Sequence, residues 1–248
     1  MEAQEHASMP RHGAGAIAIT GASRGIGRAC AEELAAKGVV LALMASSEGQ
    51  LKETAAACAA KGATVHCFGF DLSKIDEIAA RMAEVKERCG AIKALVNNAG
   101  IWIEKPFAEG DMDAWDLALD VNLKAAMRLT RHALDGMEEG GAVVFIASTA
   151  SRKAYAGGSN YCAAKHGILG FAGALFEDVR ERGIKVCSIL PGVVNTDMHA
   201  ADQAMDKEKM IQPGDVAAAV AFVLSSPPNV CPTEIALQPQ RYPKRRPA

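Results

Sequence analysis

The sequence predicts one α/β domain, an open doubly wound parallel sheet of Rossmann type with about seven strands and helices on both faces. Three observations predict it. Short β-branched or apolar runs alternate with longer alanine-rich stretches from residue 16 almost to the end of the 248-residue chain, the order that a parallel sheet with crossover helices requires. The first apolar run leads into a glycine-rich turn that opens a helical pattern. No linker or shift of composition interrupts the alternation, and nothing repeats beyond the strand–helix unit itself.

In chain order, the strands are expected at 16–20, 39–44, 64–70, 94–97, 142–147, 185–190 and 234–237. Between them the pattern gives helices at 24–37, 48–61, 74–89, 112–137, 160–182 and 213–224, the last with Pro213 placed as a first-turn proline. Residues 1–14 and 241–248 are polar or proline-rich and are expected to be loosely ordered, which leaves 15–240 as the domain. The basic tail, RYPKRRPA, reads as a solvated end or as a segment that steers an anion.

Composition excludes several classes. A formal net charge of −2 offers no basic excess for a phosphate backbone, so no nucleic-acid partner is expected. The longest apolar run, 39–45, is far short of the ~20 residues that span a membrane. The opening MEAQEHASMPRHG lacks an apolar signal region, and a cytoplasmic location without membrane contact follows as the expectation. The seven cysteines are scattered and never form C-x-x-C, as in a reducing compartment, and the six histidines do not join them at ligand spacing. Neither a disulfide framework nor a metal site is expected.

The glycine turn reads Thr20-Gly21-Ala22-Ser23-Arg24-Gly25-Ile26-Gly27, spaced G-x-x-x-G-x-G. A strand, such a turn and a helix put free backbone N–H groups and the positive end of a helix dipole where a pyrophosphate can sit. One glycine turns the chain, one lets the phosphate approach, and one lets the helix press on the sheet. Arg24 lies in the first turn of that helix, where the dipole disfavours a cation by up to ~1 kcal/mol and an anion nearby is called for. After the second strand, Ala45-Ser46-Ser47-Glu48 has no carboxylate at its first positions to meet a ribose 2′-hydroxyl. A 2′-phosphate would meet Arg24 and the hydroxyl of Ser46, so the sequence reads as a site for NADP(H) in preference to NAD(H).

Tyr161-Cys162-Ala163-Ala164-Lys165 puts a phenol and an ammonium on one face of a predicted helix. A cation about 4 Å away can lower a tyrosine pKa of ~10 by up to about three units at an effective dielectric near 20. Ser148 closes the fifth strand, at the sheet edge where sites form in open α/β folds. Asn97-Asn98-Ala99-Gly100 ends the fourth strand, and Asn122 sits within the long fourth helix, where a buried asparagine must find partners.

Together these motifs resemble the short-chain dehydrogenase/reductase family, in its compact branch of about 250 residues and near the 3-oxoacyl-carrier-protein reductases; the resemblance runs from about residue 16 to residue 237. It implies a cofactor turn at Gly21, Ser23, Arg24, Gly25, Ile26 and Gly27, adenine contacts at Asp71 and Leu72, and a ribose-side segment at Asn98, Ala99 and Gly100. It implies a catalytic tetrad of Asn122, Ser148, Tyr161 and Lys165. Ser148 would polarise the substrate oxygen and Tyr161 exchange the proton; Lys165 would lower the tyrosine pKa and hold the nicotinamide ribose, and Asn122 would anchor a relay water. Pro191, Gly192, Val194 and Thr196 match the loop that closes on the nicotinamide, with the Val194 backbone at the carboxamide. The implied activity is hydride transfer between NADP(H) and a small-molecule carbonyl or alcohol, in a homodimer or homotetramer packed through the long helices.

Two features depart from the family pattern. The C-terminal stretch at 231–240 lacks the glycine-rich V-D-G-G ending, so the sequence does not define the wall of the substrate pocket there. The loop Asp135-Gly136-Met137-Glu138-Glu139-Gly140 is acidic and would repel an acidic carrier protein, although Arg180 and Arg182 could compensate. The loop 196–212 is expected to cover the substrate, with Met198, Met205 and Met210 as an adaptable lid or as simple packing. Three functional readings stay open: reduction of free ketones or aldehydes, reduction of a 3-oxoacyl carrier substrate, and a non-catalytic NADP-binding sensor or scaffold.

Overall fold

A computed structural model describes residues 15–199 and 205–243. The seven strands are β1 (Ala16–Thr20), β2 (Val40–Ala45), β3 (Thr64–Gly69), β4 (Ile92–Asn97), β5 (Ala142–Ile146), β6 (Lys185–Pro191) and β7 (Glu234–Leu237). They form one parallel sheet in the order β3-β2-β1-β4-β5-β6-β7. Seven α-helices accompany them: α1 (Gly25–Leu34), α2 (Lys52–Ala60), α3 (Ile78–Cys89), α4 (Met112–Leu119), α5 (Ala125–Ala133), α6 (Ser159–Val179) and α7 (Pro213–Ser225). The expected fold class is the observed one. The segments expected to be loosely ordered fall outside the described residues at 1–14 and 244–248, whereas Pro243 is buried and its carbonyl accepts from the Asp206 N–H at 2.7 Å.

The period of two along a strand explains the two-sided core. Ala16 and Ala18 of β1 face a cluster with Met82, Leu129, Phe145 and Ile168, contributed by α3, α5, β5 and α6. Ile17 and Ile19 face the opposite cluster with Leu34, Val216 and Val220 from α1 and α7. Each of the larger side chains among these, Ile, Leu, Val, Met or Phe, stabilises the fold by about 1.5–3 kcal/mol on burial. Because both faces are covered, the strands read as continuous apolar runs.

Helix boundaries required correction. The first helix stops at Leu34, not 37, because Ala35 turns extended before the left-handed Gly38. The second and third helices begin as 3₁₀ turns, Glu48–Leu51 and Ile75–Glu77. The stretch expected as one helix over 112–137 is α4, a π-turn at Asp120–Lys124, and α5, which ends at Ala133. The inserted turn has a visible partner: both polar atoms of the Asn122 side chain are bound to the backbone of Ile101. Gln212 and Asp215 form a capping box at the start of α7, with Pro213 in the first turn as expected.

The strand order reverses beside β1, whose neighbours are β2 and β4, so the connections leaving β1 and β4 diverge and open a crevice at the C-terminal edge of the sheet. Gly27 lets α1 press onto this edge, since a Cβ there would lie 2.2 Å from the Gly21 carbonyl oxygen and 2.5 Å from Nδ2 of Asn98. Gly27→Ala is therefore expected to lower the unfolding free energy by roughly 2–3 kcal/mol through overpacking. Thermal denaturation at the parent's midpoint would contradict this close approach.

Candidate active site

Gly21 takes a left-handed conformation, φ +64°, and turns the chain out of β1. Arg24 is the N-cap of α1 with an extended backbone, one position outside the first turn where the sequence reading placed it, and the helix starts at Gly25. The turn is tied to the segment after β4 through Thr20. Its Oγ1 accepts from the backbone N–H groups of Asn98 at 2.9 Å and Ala99 at 3.0 Å. The Asn98 amide returns a bond to the Thr20 carbonyl at 2.9 Å and another to that of Gly21 at 3.3 Å.

These elements line a cleft of about 1470 Å³ along the C-terminal edge of the sheet. Gly21, Ser23, Arg24, Gly25 and Ile26 form its wall beside the turn, and Asn98, Ala99 and Gly100 its floor. Ser46, Asp71 and Leu72 line it beyond β2 and β3, while Pro191, Gly192, Val194 and Thr196 line it after β6. Gly27 does not line it, being packed beneath the turn. Arg24, expected to face a phosphate, is paired with Asp197 at 3.3 Å; the two side chains are 76% and 67% exposed, so solvent screens the pair. Ser46 bonds Gln50 at 2.8 Å.

Ser148, Tyr161 and Lys165 meet in the same cleft. The Ser148 hydroxyl oxygen accepts from the Ala150 N–H at 3.1 Å, and its side chain is hydrogen-bonded to the Tyr161 phenol. Lys165 lies one turn further along α6, its Nζ 5.6 Å from the Tyr161 ring centroid. That ammonium donates to the Ile146 carbonyl at 2.8 Å, and with the side chain only 5% exposed its pKa is lowered to about 8 by burial. The expected depression of Tyr161 is not seen. Burial raises the phenol to about 12, with the Ser148 hydrogen bond pulling the other way, while the ammonium is engaged by a carbonyl.

Asn122 stands behind the wall, not on it. Its Oδ1 accepts from the Ile101 N–H and its Nδ2 donates to the Ile101 carbonyl, both at 2.8 Å. Gly100 permits this, because a Cβ there would approach Asn122 Oδ1 to 2.7 Å. Asn122 thus holds the loop after β4 in place beside the cleft.

Several lining residues were missed. Arg152, Lys153 and Tyr155 come from the loop between Ser148 and Tyr161, and Trp102 from the loop after Gly100. The signal was available: a loop that joins two site residues has to border the site. The unusual C-terminus supplies a wall as well, since Gly192 donates to the Leu237 carbonyl at 2.8 Å and Ala236 and Gln238 line the cleft. Of the three methionines expected as a lid, Met198 lines the cleft, while half-buried Met205 and buried Met210 do not; residues 200–204 lie outside the described ones. The acidic loop at 135–140 precedes β5 and therefore lies at the opposite edge of the parallel sheet. Arg180 and Arg182 lie at that edge too, bonded to Glu177 and to the carbonyls of Leu134 and Met137. Neither set borders the cleft.

The sequence profile of the short chain dehydrogenase family matches residues 15–207. The chain belongs to this family. A 3-oxoacyl-[acyl-carrier-protein] reductase of Vibrio harveyi is 34% identical over 218 residues, covering 84% of this chain and 88% of its own length. A short chain dehydrogenase from Burkholderia cenocepacia, solved in complex with NADP, superposes with a TM-score of 0.82 at 30% identity, covering 90% of this chain and 96% of its own. An alcohol dehydrogenase from the archaeon Thermococcus sibiricus, solved with 5-hydroxy-NADP, gives 0.85 at 28% identity, covering 95% and 100%. The chain is thus a family oxidoreductase. Among the described residues, no cluster of side chains suits a metal ion and no helix is long and apolar enough to cross a membrane.

Burial of Lys165 sets a pH signature for this short chain dehydrogenase. Its folded pKa, about 8, lies below the ordinary 10.5, so the unfolded state binds more protons between these values and folding is favoured as pH rises through that window. The unfolding free energy of the parent, minus that of Lys165→Met, is expected to be flat below pH 8 and to rise above it. A difference that stays constant across the window, measured by denaturant titration, would contradict an ammonium buried in this way.

Proposed function

We propose that this chain reduces a ketone or aldehyde with NADPH, with Tyr161 as the proton donor. The observation that carries the reading is the neutral, partly buried phenol of Tyr161, hydrogen-bonded to Ser148 in the cleft that the glycine turn opens. A phenol raised to about 12 keeps its proton at working pH, which suits an acid in the reductive direction better than a base in the oxidative one.

The residues present fit the dinucleotide. No acidic side chain stands in the first turn of α1, whose unpaired N–H groups suit a pyrophosphate. A 2′-phosphate would be met by Ser46 and by Arg24, whose exposed pair with Asp197 exchanges at little cost. Asp71, Leu72, Asn98, Ala99 and Gly100 would border the adenosine half, and Pro191, Gly192, Val194 and Thr196 the nicotinamide half. The NADP complexes of related folds support the choice.

When bound, NADPH supplies the hydride for the carbonyl carbon. The protein does the rest. The Ser148 hydroxyl, oriented by the Ala150 N–H, and the Tyr161 phenol converge on the substrate oxygen, where they stabilise developing negative charge; Tyr161 then delivers its proton there. Lys165, one turn along α6, would hold the nicotinamide ribose, and Asn122 keeps the Ile101 loop shaped. A 3-oxoacyl thioester substrate is the second reading. The relative from Vibrio harveyi favours it, and the acidic loop raises no obstacle at the cleft because it lies at the far edge of the sheet. A non-catalytic sensor would have no use for a phenol held beside a serine and a buried lysine.

The exposed side chains of Leu117 on α4 and Met127 on α5 support a homodimer or homotetramer packed through these helices. The seven unpaired cysteines support a cytoplasmic location.

The test is NADPH oxidation, with NADH in parallel, against free ketones, aldehydes and 3-oxoacyl thioesters. Turnover faster with NADPH is expected, and Tyr161→Phe is expected to lower kcat/KM by about 10²–10⁴-fold while NADPH still binds. Parent-like turnover by Tyr161→Phe would overturn the assignment of the acid.

A further inference from the structure

Two cationic side chains, Arg152 and Lys153, border the cleft from the loop between Ser148 and Tyr161. The loop is braced by its own backbone: the N–H groups of Arg152 and Lys153 both donate to the Thr149 carbonyl at 3.1 Å, and that of Ser151 to the Ser148 carbonyl at 2.9 Å. The backbone that carries two adjacent cationic side chains is thereby held in place between Ser148 and Tyr161. The Arg152 guanidinium is anchored by an ion pair with Glu234 of β7, a residue that is not itself in the cleft wall. Lys153 has no carboxylate partner among the described residues.

Glu104 acts on Tyr155 from outside the lining, and the carboxylates that line the cleft among the described residues lie elsewhere. Glu53 and Asp71 belong to the end beyond β2 and β3, three or more strands away from β5 and β6, and Asp197, after β6, stands beside Arg24 of the glycine turn. Tyr155 adds a neutral donor on the same wall. Its oxygen accepts from the Trp102 indole N–H at 2.8 Å, and its ring lies so close to Gly158 that a Cβ there would come within 2.4 Å of it. The phenol is held still, and its own proton is left for an acceptor.

We infer that the carbonyl substrate carries an anionic group, a carboxylate or a phosphate, which Lys153 and Arg152 recognise while its carbonyl lies at Ser148 and Tyr161. Lys153 makes the direct ion pair; Arg152, already balanced by Glu234, supplies further donors with its planar fork. The inference deepens the carbonyl-reduction reading and rests on it.

Matched substrates test it with NADPH: an oxo acid and its methyl ester, and an oxo phosphate and its dimethyl ester, each with the parent, Lys153→Met and Lys153→Arg. In one pair or the other, the parent is expected to prefer the anion by about tenfold or more in kcat/KM, equivalent to ~1.4 kcal/mol. Lys153→Met should abolish the preference, chiefly through KM, and Lys153→Arg should keep it. The pair that shows the preference identifies the anion as carboxylate or phosphate. Esters turned over as well as their anions, or a preference that survives in Lys153→Met, would overturn this inference and leave the reduction reading intact. No reduction of either form, nor of plain ketones, by a parent that binds NADPH would overturn both.

Discussion

Everything at the C-terminal edge of the sheet depends on how closely two backbones approach one another: the glycine turn after β1 and the segment after β4. Thr20 and Asn98 join them through four hydrogen bonds in which side chains satisfy backbone groups of the opposite segment. Such an approach leaves no room for a Cβ at Gly27 and little at Gly21. With the turn fixed, α1 begins at Gly25 with its unpaired N–H groups at the crevice, and the loop after β4 continues past Gly100 to Ile101, where Asn122 receives it. A helix that must present an asparagine to that loop accommodates a π-turn. Close packing at the turn therefore reaches the catalytic end of the cleft through contiguous backbone.

At that catalytic end, desolvation acts on two groups with opposite consequences. It keeps the Tyr161 phenol neutral, and it makes the Lys165 ammonium easy to discharge. A carbonyl from Ile146 compensates the lysine, while Ser148 compensates the tyrosine. Arg152, paired with Glu234, and Lys153 border the same cleft.

The sheet was legible in the sequence because each strand is buried on both faces and so reads as an apolar run, and all seven were found to within about two residues at either end. Helix ends were less legible. The π-turn at Asp120–Lys124 answers a tertiary contact from Asn122 to Ile101, which local propensity does not register. Motif spacing identified Ser148, Tyr161 and Lys165 as neighbours, and the structure brings them together. The state of Tyr161 was misread, because the distance to Lys165 and the extent of burial decide it and neither is written in a spacing. The charge of the acidic loop is plain in the sequence, and its position at the far edge follows from the strand direction of β5. Trp102, Tyr155, Arg152 and Lys153 belong to no motif, and their place in the wall follows from what they connect.

The central claim is that a hydride passes from the nicotinamide to a carbonyl carbon held at Ser148 and Tyr161. The most direct measurement follows the label from NADPH deuterated at C4, in each of its two stereochemical forms, into the product alcohol. Hydride transfer in this cleft requires that one of the two forms place a single deuterium on the carbinol carbon and that the other retain it in the oxidised cofactor. Product alcohol without deuterium from either form would contradict it.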